Sequence, residues 1–459
     1  MNPLGERGAS APCVLKPSLD QPISNVAFIT IPTGKFPVVK LKTLLATIGP
    51  GILVAATGVG AGDLATATFT GTKLGTAILW AVVVGAVLKY VLNEGLTRWQ
   101  LATGTTLIEG TVRHLGRWAS WGFLLYLLLW SYLVAMALMS ACGVALHAIF
   151  PVFEEAAMGK IVLGSLQSVL AVLLIRRGGY ALFEKCMSLC IGVMFVVVVV
   201  TAVALGPNLG EVVTGLLWLR IPDFRGEGLA WTIALLGGVG GTVTVLCYGY
   251  WIREEGRTDG SQLSICRLDL AVGYTMTALF GIAMVIIGAR IGEVDGKGAT
   301  LVINIADTLQ NTFPQGGVLL RWAFLIGAWG AFFSSLLGVW QATPYLFADL
   351  WGLMNRPSGV ATPATVDTSS TVYQSYLWGI ALLPISGLFL LNFQSAVKVY
   401  AFIGAFFIPL LAIVLLLLNG NSRLVGENFR NRSWETGLLW LTLVTFLMAG
   451  GFQIVSLVL

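Results

Sequence analysis

Eleven apolar stretches, each near the roughly 20 residues a helix needs to cross a bilayer, constrain what this chain can become. They run approximately over 44–70, 76–97, 121–150, 158–176, 181–206, 229–252, 266–291, 320–346, 373–390, 393–418 and 435–457. In hydrocarbon every backbone N–H and C=O must be satisfied within the protein, which makes such a run a helix. Only 11% of the residues are charged, against about a quarter in a soluble domain. The expected fold class is therefore an all-α integral membrane protein with about 11 transmembrane helices.

Two of these stretches carry glycine where a membrane helix should be intact. The first span holds Gly58-Val59-Gly60-Ala61-Gly62-Asp63, and the sixth holds Gly237-Gly238-Val239-Gly240-Gly241. Glycine costs about 1 kcal/mol against alanine in a helix interior, and unwound backbone is tolerated at membrane depth only in protein or beside a cavity. Ten spans divide as five plus five, with a broken span opening each half. Five is odd, so the second half enters the membrane from the opposite side. This is a 5+5 inverted repeat with broken helices 1 and 6, the LeuT-type architecture of secondary transporters.

The expected organisation is a flexible tail over residues 1–42, a transporter core over 43–418 with repeats at about 43–206 and 229–418, and an additional C-terminal helix within 419–459. The tail is polar and Pro-punctuated, and lacks the short apolar core of a signal peptide. Lys and Arg concentrate in the tail and in the loops after even-numbered spans, including Arg98, Arg113, Arg117, Arg176, Arg177, Arg253, Arg257 and Arg267. The positive-inside rule then expects a cytoplasmic N-terminus and an external C-terminus in the cell inner (plasma) membrane. In the loop 292–315, Leu301, Ile305 and Leu309 recur at helical spacing, as in an interfacial amphipathic helix.

Several function classes are excluded. No basic stripe suggests nucleic acid, and no obligate protein partner is evident. No nucleophile–base pair or complete metal set stands at one depth, so an enzyme is not expected, and no cofactor is implied. Cys186 and Cys190 share a helix face but lack the further ligands a metal needs. What remains is a membrane protein in contact with lipid, acting on an unnamed small molecule or ion.

Four motifs sharpen this. Gly49-Pro50-Gly51-Ile52-Leu53-Val54 leads into the first broken helix, Leu101-Ala102-Thr103-Gly104 follows span two, Arg177-Gly178-Gly179-Tyr180-Ala181-Leu182-Phe183-Glu184 enters span five, and Phe407-Ile408-Pro409-Leu410-Leu411 lies in span ten. Together they resemble the NRAMP divalent-metal transporters over most of the membrane region. The resemblance implies the same LeuT-type scaffold. It does not extend to that family's ligands. Where the family has Asp and Asn in the first break, this chain has Gly60 and Asp63. In the sixth span, Thr244 stands at the family's Met and Leu246 at its His, and in span ten Ala396, after Ser395, stands at its Gln. The family's span three carries acidic residues linked to proton movement, yet Phe123 to Phe150 contains no Asp or Glu.

The candidate substrate site is thus Thr57, Gly58, Gly60, Asp63, Thr242, Thr244, Ala396 and Lys398, with Asp63 the one possible metal ligand. Asp63 caps the second half of span one, either as its only role or while also meeting a solute or ion, since a charge within the membrane is a functional candidate by default. Lys398 beside Asp63 would argue against a cation. Lys89 reads as a snorkelling or structurally paired residue. Glu184, Arg253 and Glu254 form a candidate ionic gate in the cytoplasmic layer, or a static surface network. Three functions follow. The first is a secondary transporter for a small polar solute that has lost Mn²⁺/Fe²⁺ and proton chemistry. The second is a carrier of a hard divalent cation such as Mg²⁺, and the third is a non-transporting sensor or scaffold.

Overall fold

The computed structural model describes residues 49–292, 300–313, 315–355 and 366–458, without the side chains at 61, 178–184, 186, 449 and 452–458. The expected tail, the start of span one and most of the linker after span eight lie outside the described residues. Among those described there is no strand. Among the described residues nine helices are long and apolar enough to cross a membrane. They map onto the expected spans. Gly62–Thr103 joins the end of span one to all of span two, and the eleventh span is the helix Ser433–Val458. The fourth and fifth spans, Ala156–Arg177 and Met187–Ala204, follow one another in a backbone that stays helical from Ala156 to Ala204.

The described part of span one opens with the helix Pro50–Gly58, with Pro50 in its first turn, where the missing N–H costs nothing. It does not unwind at its glycines. An α-helix over Pro50–Gly58 passes into a π-helical stretch over Val59–Thr66 and returns to α over Ala67–Leu74. The expected interruption is therefore a widened helix, a form that recurs at functional sites. Span six breaks outright. The helix Gly228–Gly238 ends, Val239 turns to ψ 124°, and Gly240 and Gly241 take φ of 72° and 82°. Those values lie in the left-handed region that only glycine adopts cheaply. A 3-10 turn over Val243–Cys247 then leads into the helix Tyr248–Glu254.

The loop helix Leu301–Thr312 forms as its periodicity requires, but protein covers its apolar face. Leu301, Ile305 and Leu309 are buried, and Asp307 pairs with Arg321 of span eight, the helix Gly317–Asn355. At one end of the bundle, buried ions tie spans two, seven and eleven together. Glu94 accepts from Arg98 Nε at 2.7 Å and from Arg267 Nη2 at 2.7 Å, while Arg98 Nη2 lies 3.1 Å from Glu435. A separate buried carboxylate, Asp269 of span seven, receives Gly51 N–H at the start of span one, Tyr248 O–H and Arg257 Nη1.

Candidate functional site

The two interrupted spans cross with backbone against backbone. A Cβ on Gly58 would stand 2.5 Å from Gly241 N, and one on Gly62 would stand 2.3 Å from Gly238 O. Only glycine permits that approach. It puts the freed peptide groups of span six within reach of span one.

Asp63 uses this proximity. It does not cap the second half of span one, whose first helical residues follow Thr66 with no side-chain cap. Its carboxylate lies inside the π-helical stretch and accepts the N–H of Gly240 at 3.0 Å through Oδ1. The cap expectation is corrected because the break in span six offers a better donor, an N–H that no helix uses. Asp63 is fully buried, and its Oδ2 has no hydrogen-bond partner.

A cation stands on the other side of the same loop, and it is not Lys398. Lys89 of span two is buried, and its Nζ donates to the carbonyls of Gly237, at 2.5 Å, Val239 and Gly241. Lys398 pairs instead with Glu227 and lies 5.5 Å over the Trp231 ring. Glu227 precedes the helix Gly228–Gly238, so Lys398 is about 16 Å from the break at 1.5 Å per residue. That pairing holds the Glu227 carboxyl below its ordinary range, chiefly through the hydrogen bond from Lys398. Ala396 is likewise corrected. Among the tenth-span residues that meet the break are Ala405, against Gly237, Gly404, against Thr242, and Tyr400, also against Thr242, all towards the far end of the helix Phe393–Ala405.

The remaining candidates line the crossing in different ways. Thr57 Oγ1 is spent on the carbonyl of Leu53 at 2.7 Å. The N–H of Gly60 donates to Ser335 Oγ of span eight at 2.7 Å, and Ser335 in turn donates to Ala56 O at 2.9 Å. Thr242 and Thr244 are buried on the span-six side, with Thr244 Oγ1 against Gly241. Ser335 bridges the π-helical stretch from outside both repeats' glycine clusters, so nothing local in the sequence flags it. Asn93 and Tyr274 also escaped sequence reading. Asn93 lies one helical turn beyond Lys89 and bonds Tyr274 O–H at 3.2 Å, and the Tyr274 ring packs against Gly240. Sulfur is remote in function if not in sequence, because Cys247 is buried with its thiol directed at Ala342 O, 3.6 Å away. Among the described residues no group of three or more His, Cys, Asp or Glu could hold a metal.

Arg253 Nη2 donates to Gly104 O at 2.8 Å, and Glu254 accepts from Tyr345 O–H at 3.5 Å. The side chain of Glu184 lies outside the described residues. The residues of the crossing are buried. The clefts of roughly 460 Å³ and 390 Å³ elsewhere on the molecule are lined by neither Asp63 nor the Val239–Gly241 loop.

A helical bundle that spans the membrane many times, with a π-helical first span crossing a broken sixth, is the LeuT-type class of membrane transporters. A crystal structure of the Eremococcus coleocola manganese transporter superposes with a TM-score of 0.68 at 18% identity, covering 93% of this chain and 89% of that one. MhsT in complex with L-phenylalanine superposes at 0.59 with 16% identity, over 87% and 97% of the two chains. The sequence profile of the natural resistance-associated macrophage protein-like family, Nramp, matches residues 51–456, and the chain belongs to that family. It is 22% identical over 430 residues to the divalent metal cation transporter MntH of Bacillus subtilis, covering 90% of this chain and 93% of that one. MntH of Mycobacterium leprae is 26% identical over 265 residues, which span 59% of its length. The protein is thus a multi-pass membrane transporter of this family and not an enzyme.

Proposed function

We propose that this family member is a secondary transporter that moves its cargo past the crossing of spans one and six, and that Mn²⁺ and Fe²⁺ are not its cargo. The first-choice cargo is a small polar solute that leaves the charge of the site balanced. The observation that carries this reading is the donor set at the crossing. Among the described residues Asp63 is its one carboxylate, the other side-chain oxygens are hydroxyls and the Asn93 amide, and the buried Lys89 already supplies the opposite charge. Transition metals are selected by imidazole, thiolate or thioether, and among the described residues no group of three or more His, Cys, Asp or Glu is assembled here. A divalent ion added beside a balanced Asp63–Lys89 pair would leave two positive charges uncompensated in a low-dielectric interior, where that is costly.

The acid-free third span, Arg117–Ile149, supports a second element of the reading, that metal-linked proton uptake is absent. The proposed topology keeps the N-terminus cytoplasmic, with repeats at about 43–206 and 229–418. A second reading rests on Asp63 Oδ2, a buried acceptor without a partner, and on the names of the relatives. It is transport of a hard divalent cation such as Mg²⁺, which needs few protein ligands because it keeps several waters.

Purified protein in liposomes tests both, using Mn²⁺, Fe²⁺ and Mg²⁺ uptake with an internal pH probe. The expected outcome is no Mn²⁺ or Fe²⁺ entry and no metal-dependent acidification. Saturable Mn²⁺ uptake that Asp63→Ala abolishes would overturn the first reading. Saturable Mg²⁺ uptake alone would select the second.

A further inference from the structure

We propose that span six carries its own cation. The ammonium of Lys89 fills a carbonyl cradle that would otherwise receive a soluble monovalent cation, so the broken loop is complete without one. The inference rests on the sixth-span loop being part of the transport path, but its test is made on binding and not on transport.

The cradle is built by the break. The helix Gly228–Gly238 stops, and the carbonyls of Gly237, Val239 and Gly241 have no helical partner beyond it. A lysine ammonium has three donors and no acceptor, and Lys89 spends one on each of these three carbonyls. No donor is left over for water or for a carboxylate. A snorkelling lysine would direct Nζ to the membrane surface, whereas this side chain is 1% exposed and points into the bundle. The end of a helix also carries partial negative charge, which favours a cation at this place.

The ligand class follows from the cradle. Three neutral oxygens suit a monovalent, hydrogen-bonding cation. A divalent ion is ordinarily held through at least one carboxylate. The carboxylate near it, Asp63, is held on the opposite side of the loop. The C=O of Val239 and the N–H of Gly240 belong to one planar peptide whose two ends point apart. Lys89 binds one end and Asp63 the other. The peptide therefore separates the two charges while both polarise it.

Truncation of Lys89 to alanine removes a propylammonium-shaped piece, and this gives the test its specificity. Purified wild-type protein, Lys89→Ala and Lys89→Gln are melted in detergent across titrations of propylammonium, ammonium, sodium and tetramethylammonium chlorides, with 1-propanol as the uncharged control. Lys89→Ala is expected to show a saturable rise in melting temperature with propylammonium, a smaller one with ammonium, and none with tetramethylammonium or propanol. Wild-type protein, with its cradle filled, should show no such discrimination. Equal shifts in wild type and Lys89→Ala, or a folded Lys89→Ala that ignores propylammonium, would overturn the proposal. If Lys89→Ala yields monodisperse protein only when extracted in propylammonium, the proposal is supported. If it fails in every salt, Lys89→Gln decides. That variant fills the space but is neutral, and the proposal requires it to melt below wild type by an amount that added sodium chloride does not restore. A Lys89→Gln protein as stable as wild type would count decisively against a cation in the cradle.

Discussion

One glycine of the crossing and one ion pair beyond it can each be tested alone. Gly58 touches the backbone of Gly241 so closely that a methyl group has no room. Gly58→Ala should cost about 1–3 kcal/mol, the usual penalty of overpacking. Gly122, on a helix with nothing near its absent Cβ, is the control. Gly122→Ala should be neutral or stabilise by about 0.4–1 kcal/mol. Melting in detergent reads both, and equal stability of Gly58→Ala and wild type would remove the close approach on which the site depends. Glu227 makes a pH prediction. Its folded carboxyl is held below its ordinary range by the hydrogen bond from Lys398, so the pair contributes stability above the unfolded carboxyl range. That contribution is lost as pH falls through the depressed folded value. Glu227→Gln should therefore melt slightly below wild type at neutral pH and together with it in strong acid. The neutral-pH gap should be small, because Glu227 is largely exposed.

At the scale of elements, span six was legible and span one was half legible. Clustered glycines marked both interruptions, and in span six two of them take the left-handed backbone that unwinding needs. In span one the same signal produced a π-helical stretch, because Ser335 from span eight supplies an acceptor to Gly60 N–H and a donor to Ala56 O. That partner is 275 residues away from Gly60, so no window of sequence could reveal it. The exchange of Lys398 for Lys89 has the same origin. Both are lysines in apolar spans, and only the register of span two against the broken loop distinguishes them. Ser335→Ala should cost about 1–3 kcal/mol, because it leaves a buried N–H without an acceptor. Hydrogen exchange should quicken at residues 59–66 before the rest of the span. Unchanged exchange there would mean that Ser335 does not hold the widened turn.

For the whole molecule, fold class and family were readable from apolar run lengths and a few glycine- and proline-bearing motifs, since the bilayer admits so few spanning structures. The contacts that hold the spans in register were not readable, because they join distant elements through single charges. Arg98 is the clearest case. It is buried between Glu94 and Glu435 and also donates to Phe429 O and Asn431 Oδ1. Arg98→Met would leave two buried carboxylates with less compensation and should destabilise by about 3–5 kcal/mol. The loss should be smaller in Arg98→Met combined with Glu435→Gln, and a double-variant melt that equals the sum of the singles would refute the coupling.

The thiol of Cys247 adds a clock to this molecule without any engineering. It lies in the 3-10 turn that follows the broken loop, buried, directed at Ala342 O and unpaired with any other cysteine. A maleimide can reach it only while spans six and eight part. The pace at which mass spectrometry finds residue 247 alkylated therefore measures how often span six parts from span eight beside the broken loop, in a protein whose cargo need not be known beforehand. A solute that holds the crossing shut would slow that pace, and one that drives it through its cycle would quicken it, so the native cysteine can be used to search for the cargo itself.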